Sequence, residues 1–210
     1  MPISEVTNED CMVMMGRYPD KFFDLAIVDP PYGWGKLKGR NVNGDSEWNI
    51  SPTKEYFDEL TRVSANQIIW GGNYFGLPAN RHFIIWDKKQ PIDQFARCEY
   101  AWSSMERNAT VFEYTYFGNV NSDPNRFHPT QKPIALYSWL LTNYAKKGDN
   151  ILDTHLGSGS SRIAAYKLGF DFWGCEIDKD YFDASEKRFK QAINEPLFQT
   201  MPITQSKIFE

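Results

Sequence analysis

Two groups of residues in this chain of 210 have the types and the spacing for chemistry. The first is Asp29-Pro30-Pro31-Tyr32, directly after the apolar run Leu25-Ala26-Ile27-Val28. Two successive prolines have no backbone N–H and nearly fixed φ, so a carboxylate, bare carbonyls and an aromatic ring stand in a stiff arc at a strand end. Acceptors in a row can hold an NH2 group, and the Tyr32 ring offers a face for a flat ligand. The second group is the Gly-rich stretch Thr154 to Ser160, with Asp153 before it and Glu176 roughly 20 residues beyond the loop, the spacing at which an acid meets a ribose. Gly157 and Gly159 permit positive φ and close backbone approach, and the helix that follows offers free N–H groups. Taken alone, an Asp-Pro turn is an ordinary strand end and a G-x-G an ordinary tight turn. Together they describe a site for an adenosine-containing ligand beside an acceptor arc for an amine. The glycines depart from a dinucleotide fingerprint, and no Lys-Ser/Thr ending of a P-loop follows them. A nucleoside with a cationic amino-acid tail therefore fits better than NAD or ATP, with Asp153 meeting the ammonium group.

These residues need elements to hold them. Ile3 to Val6 reads as a short strand, Cys11 to Tyr18 as a helix with Met12, Met15 and Met14 inward, and Asp24 to Val28 as a buried strand parallel to the first. Such a unit brings Asp10 and Asp29 to one carboxyl edge, where open α/β sheets bind ligands. Residues 33–50 lack periodicity and form a flexible loop carrying Trp34, Lys36, Lys38 and Arg40. Ser51-Pro52 is expected to cap the next helix, with Tyr56, Leu60 and Val63 on its inner stripe. Gln67 to Trp70 and Arg81 to Trp86 read as strands; Cys98 to Ser103 and Thr110 to Phe117 read as antiparallel strands closing the sheet. His128 to Pro133, HPTQKP, leads into a helix over Pro133 to Tyr144. Asn150 to Asp153 and Asp171 to Cys175 are the last strands, with helices Ser161 to Leu168 and Tyr181 to Ile193, the latter turning Phe182, Phe189 and Ala192 inward. A tail, 196–210, follows.

Composition narrows the class. At 41% hydrophobic and 24% charged this is a globular chain, expected to form one domain over 1–195. No apolar run reaches the roughly 20 residues of a membrane span, and the N-terminus lacks a basic region followed by an apolar core, so a cytoplasmic protein is expected. Three scattered cysteines and three histidines give no metal-binding spacing. The net charge of −4 means that any contact with nucleic acid must use a local patch rather than the whole surface.

With DPPY at 29–32, HPTQKP at 128–133 and LDTHLGSGS at 152–160 in that order, the chain resembles the S-adenosylmethionine-dependent amino-methyltransferases of DNA in their circularly permuted, beta-class arrangement. The resemblance covers roughly residues 3 to 190. It implies a three-layer Rossmann-like sheet, mostly parallel with an antiparallel edge, in permuted motif order. It implies S-adenosylmethionine as cofactor, with Asp153, Thr154, Leu156, Gly157, Ser158 and Gly159 around its methionine end and Glu176 at its ribose. Asp10 and Cys11 fall at the adenine ring, and Thr130 and Lys132 near the carboxylate. Asp29, Pro30, Pro31 and Tyr32 become the catalytic arc, with Asp29 also facing the cofactor. The family loop reads closer to DPFAGSGT, so Thr154-His155-Leu156 departs from it and puts the usual aromatic contact in doubt. Adenine N6 in double-stranded DNA is the implied target, and Trp34, Lys36, Lys38 and Arg40 are candidate nucleic-acid contacts. Residues 104–127 are the space for a small target-recognition insert. Cytosine-N4, an RNA adenine, a disabled fold that only binds nucleic acid, and a homodimer are the alternatives.

Overall fold

The computed structural model describes residues 1–33, 50–116, 120–121 and 126–194. Trp34, Lys36, Lys38 and Arg40 lie outside the described residues, as do the rest of 34–49, parts of the 104–127 segment and the tail.

Eight strands form one sheet: β1 (Ser4–Asn8), β2 (Phe23–Val28), β3 (Ser64–Trp70), β4 (Phe83–Asp87), β5 (Cys98–Ser103), β6 (Thr110–Glu113), β7 (Asn150–Asp153) and β8 (Asp171–Glu176), in the order β1-β8-β7-β2-β3-β5-β4-β6. Among the described residues five α-helices, α1 (Cys11–Met15), α2 (Lys54–Val63), α3 (Ile134–Tyr144), α4 (Ser160–Leu168) and α5 (Lys179–Asn194), accompany the sheet. The sheet is covered on both sides, and β2 shows why. Its Leu25 and Ile27 join the core beneath α3 and α4, while Ala26 and Val28 join the core beneath α1 and α2. Period-two side chains that are apolar at every position need a layer on each face. The inner stripe expected for α2 is buried as Tyr56, Leu60 and Val63. Leu60 is fully buried against the second core, so Leu60→Ala is expected to lower stability by about 2–5 kcal/mol, read from the midpoint of urea unfolding.

Several expectations are corrected, while β1 and β2 run parallel as expected, with β8 and β7 between them. The apolar β7 takes the centre, and β1, SEVTN with solvent-facing side chains, takes the edge that its polarity suits. Helix α1 ends at Met15, buries Met14 and Met15 and leaves Met12 exposed. The N-cap of α2 is Thr53 rather than Ser51. Residues 110–113 pair with β4 in parallel rather than antiparallel fashion. Among the described strands only β5 runs antiparallel, inserted between β3 and β4, and the chain after β5 passes β4 before forming β6 on its far side. In α5 Ser185 and Phe189 are buried, whereas Phe182 and Ala192 are only half-buried.

The consequence for the site is one of direction. β1, β8, β7, β2 and β3 are mutually parallel, so Asp10, Glu176, Asp153, Asp29 and Gly71 all emerge at the same edge. No helix among the described residues is long and apolar enough to cross a membrane.

Candidate active site

Asp29 leaves the end of β2 with both carboxylate oxygens engaged. The Tyr32 hydroxyl donates to Oδ1 at 2.9 Å, and the Lys132 ammonium donates to Oδ2. Tyr32 reaches this position because Gly71, at the end of β3, has φ +68 and no side chain; a Cβ there would overlap the Tyr32 ring. Tyr74 and Phe75, on and after the one-turn helix Gly72–Tyr74, flank that ring at 5.1 and 6.0 Å. Burial, and then the Asp29 charge, push the Tyr32 phenol far above its ordinary range, so it remains a donor.

Lys132 is only 4% exposed, and its ammonium is held by charge on more than one side. Glu99 on β5 lies 3.3 Å away, its other oxygen is 2.5 Å from Lys88, and the face of Trp70 lies 5.4 Å from the Lys132 nitrogen. Burial opposes the Lys132 charge, yet Asp29 and Glu99 outweigh it and raise the pKa. Glu99 is the mirror case, with burial outweighed by Lys132 and Lys88 so that its pKa is lowered. The charges therefore alternate along Lys88, Glu99, Lys132 and Asp29.

Next to this arc, β7 ends in Asp153, which is 2% exposed. Its Oδ1 accepts the His155 N–H at 3.0 Å and its Oδ2 the Ser161 hydroxyl at 2.5 Å, while burial pushes the carboxyl up to about 7. The loop beyond it is tied down at each step. Leu156 N–H donates to the Cys175 carbonyl at 2.9 Å, and Gly157 N–H to Glu176 Oε2 at 2.8 Å. Asp178 N–H takes the other Glu176 oxygen at 3.0 Å. Gly157 and Gly159 have φ of +50 and +73, the left-handed region that glycine enters without strain. Arg188 of α5 donates to the Ser158 carbonyl at 2.8 Å and to Ser160 Oγ at 2.9 Å.

The departure at Thr154-His155-Leu156 has a local account. Thr154 is buried with its hydroxyl 2.7 Å from Tyr56 Oη and 3.0 Å from His155 Nδ1, and the His155 ring packs edge-on to Tyr56. Leu156 is buried. Burial lowers the His155 pKa to about 4, leaving the ring neutral. His128 stands over Gly157, with Thr130 Oγ1 3.2 Å from its Nδ1 and Tyr181 edge-on at 4.4 Å; burial first, then Lys132, lower its pKa to about 4. Among the described residues no cluster could hold a metal ion.

The predicted residues thus fall into three placements. Asp29, Tyr32, Asp153, the glycines and Glu176 come together along the edge, with Pro30 and Pro31 in the turn. Asp10 is at this edge too, but its carboxylate caps α1 by accepting the Met12 and Val13 N–H groups at 2.8 and 3.4 Å. Cys11, half-buried behind it, has a thiol pushed up to about 11 by burial and by Asp10. Lys132 is directed to Asp29 rather than along the glycine loop, while its carbonyl accepts the Ser160 hydroxyl at 2.8 Å. One residue therefore joins the arc to the loop. Sequence reasoning missed Glu99, Tyr56, Arg188 and the role of Gly71. Only the last left a signal, the double glycine at 71–72 after an apolar strand. The donor set suits an adenosine ligand with a cationic tail: a buried carboxylate at Asp153, glycines at positive φ, and Glu176 at the neighbouring strand end.

Comparison with known proteins agrees with this geometry. Residues 101–187 match a family model described as DNA methylase. The type II methyltransferase M.HinfI of Haemophilus influenzae is 25% identical, over 92% of this chain and 70% of its own length. The crystal structure of the M1.HpyAVI-SAM complex superimposes with a TM-score of 0.60 at 21% identity, covering 88% of this chain and 98% of that one. PvuII DNA methyltransferase, cytosine-N4-specific, gives a TM-score of 0.60 at 12% identity, covering 92% and 93%. Residues 101–187 are thus similar to the DNA methylase family model, and the sheet as a whole has the fold of solved DNA methyltransferases.

Proposed function

We propose that this chain methylates the exocyclic N6 of adenine in double-stranded DNA with S-adenosylmethionine as donor. The observation that carries the reading is the adjacency of two half-sites, an amine-accepting arc at Asp29 on β2 and a nucleoside-type loop from Asp153 to Glu176 on the neighbouring β7 and β8, linked by Lys132. Asp153, Leu156 to Gly159 and Glu176 would hold the cofactor, with Asp10 and Thr130 at its margins. When bound, the cofactor supplies an electrophilic methyl group.

The chain's own residues do the rest. An exocyclic amine is a weak nucleophile because its lone pair is delocalised into the ring. When the Asp29 carboxylate and the Pro30 carbonyl accept its two N–H bonds, the nitrogen is drawn toward tetrahedral geometry and the lone pair is localised. With the lone pair so directed, the nitrogen would bond to a methyl group as that group's bond to the donor sulfonium breaks, leaving the neutral thioether, and the extra proton would pass to solvent. Asp29, in contact with Lys132, serves as acceptor rather than as a strong base. A base in a duplex cannot reach this edge, so it must be extruded and received beside Tyr32.

Adenine is favoured over cytosine by the Asp of DPPY, since the cytosine-N4 enzymes more often carry Ser at that place; the likeness to PvuII methyltransferase lies in the fold. Tritium transfer from labelled cofactor to duplex DNA, to RNA and to protein tests the reading. Label in duplex DNA is expected, and label in RNA or protein alone would overturn it. Gly157→Val is expected to weaken S-adenosylhomocysteine binding at least tenfold by calorimetry, because a β-branched side chain at φ +50 is strained and its Cβ would lie 3.4 Å from the His128 ring.

A further inference from the structure

The buried charge chain behind Asp29 contains a residue, Glu99, that the proposed reaction does not use. Lys132 has three donors. One goes to Asp29 Oδ2, one lies 3.3 Å from Glu99 Oε2, and the nitrogen lies over the Trp70 face. The second oxygen of Glu99 is committed to Lys88 at 2.5 Å. The groups facing this ammonium from the packed elements are Asp29 after β2 and Glu99 of β5, with the His128 ring close enough to feel its charge and Tyr32 and Tyr137 close enough to couple to the two acids. A buried cation shared between two carboxylates has a position set by both.

We propose that Glu99 is a positioning residue for amine methylation: it holds Lys132 between itself and Asp29, so that Asp29 keeps acceptor capacity for the target amine. The inference rests on the reading above, in which Asp29 binds the amine. Without Glu99 the whole Lys132 charge falls on Asp29, and the incoming N–H must compete with an ammonium for the same oxygens. With Glu99 in place, Lys132 has a second partner toward which it can lean when the amine arrives. Lys132 is in contact with Asp29 and lies 3.3 Å from Glu99. Glu99 does not touch the substrate in this account, and it acts only through Lys132.

Glu99→Gln keeps the shape and removes the charge; Glu99→Asp keeps the charge and shortens the reach. The wild type is first assayed for methyl transfer to duplex DNA, which decides the functional reading by itself. In an active protein, Glu99→Gln is expected to lower the single-turnover rate about tenfold or more, within the range of losses for single positioned groups, with S-adenosylhomocysteine affinity changed less than twofold. Glu99→Asp should recover part of the rate. Independently of activity, the carbon NMR titration of labelled lysine Cε should place the Lys132 pKa lower in Glu99→Gln than in the wild type, because one of two opposing charges is gone. An unchanged Lys132 titration would overturn the proposal even if the wild type transfers nothing to DNA. So would a full single-turnover rate in Glu99→Gln, or a rate loss matched by an equal loss of S-adenosylhomocysteine binding.

Discussion

Asp29→Ala is expected to lower methyl transfer to DNA by about a thousandfold, while S-adenosylhomocysteine still binds within a few-fold of wild type. The magnitude is the upper end of the losses seen when one preorganised hydrogen-bonding group is taken from a reacting centre. The separation of rate from binding follows from position. Asp29 stands just beyond β2 with its carboxylate bound to Tyr32 and Lys132, whereas the loop that would hold the cofactor is fixed by Glu176, Ser161 and Arg188. Removing the carboxylate also leaves Lys132 buried with Glu99 as its remaining carboxylate partner, and breaking a buried pair from one side costs about 3–5 kcal/mol. Thermal melting must therefore be read beside activity. Asp29→Asn is the variant that separates the effects, since it keeps the shape and one acceptor oxygen but not the charge. Transfer by Asp29→Ala within a few-fold of wild type would remove Asp29 from the mechanism.

The second large effect lies at a residue with no functional group. Gly71→Ala is expected to cost about a hundredfold in transfer, because the new Cβ would overlap the Tyr32 ring and displace the hydroxyl from Asp29. Stability should fall as well, by about 1–2 kcal/mol from the left-handed backbone at φ +68 and by more from the overlap. Gly76 gives the control. It has φ +64 but nothing within 4 Å of an added Cβ, so Gly76→Ala carries the backbone strain alone and should keep its activity. Combining Gly71→Ala with Tyr32→Ala should give a smaller stability loss than the sum of the two, since the second change removes the overlap. Wild-type activity in Gly71→Ala would mean that the seat of Tyr32 does not matter to the reaction.

What the sequence disclosed, and what it hid, follows from where the information is stored. Strand β7 runs over Asn150–Asp153 as its apolar run and its acidic end predict, and β2 is buried on both faces as its unbroken apolar run demands. The acids at the strand ends share an edge because parallel strands leave no alternative. The neighbour relations of β1 and of β6 are not local properties. A four-residue alternating strand pairs as well with either hand of neighbour, and only the insertion of β5 between β3 and β4 decides that β6 runs parallel to β4.

The same division holds within the site. Asp29, Gly157, Gly159 and Glu176 announce themselves by spacing along the chain. Glu99 is one acid in an alternating strand, and its meaning comes from Lys132, 33 positions later. The resemblance places Lys132 near the cofactor carboxylate, and its ammonium contacts Asp29, since the motif names a residue type but not the partner that a long side chain selects. The resemblance places Asp10 at the adenine ring, and its side chain caps the helix that begins beside it.

The most direct measurement is nucleoside analysis by mass spectrometry of plasmid DNA from cells expressing the protein, beside the same plasmid from cells expressing Asp29→Ala, in a host without adenine or cytosine methylases. The account predicts N6-methyladenine in the wild-type sample and none with Asp29→Ala. N4-methylcytosine instead, or no modified base in DNA exposed to folded, S-adenosylhomocysteine-binding protein, would contradict it.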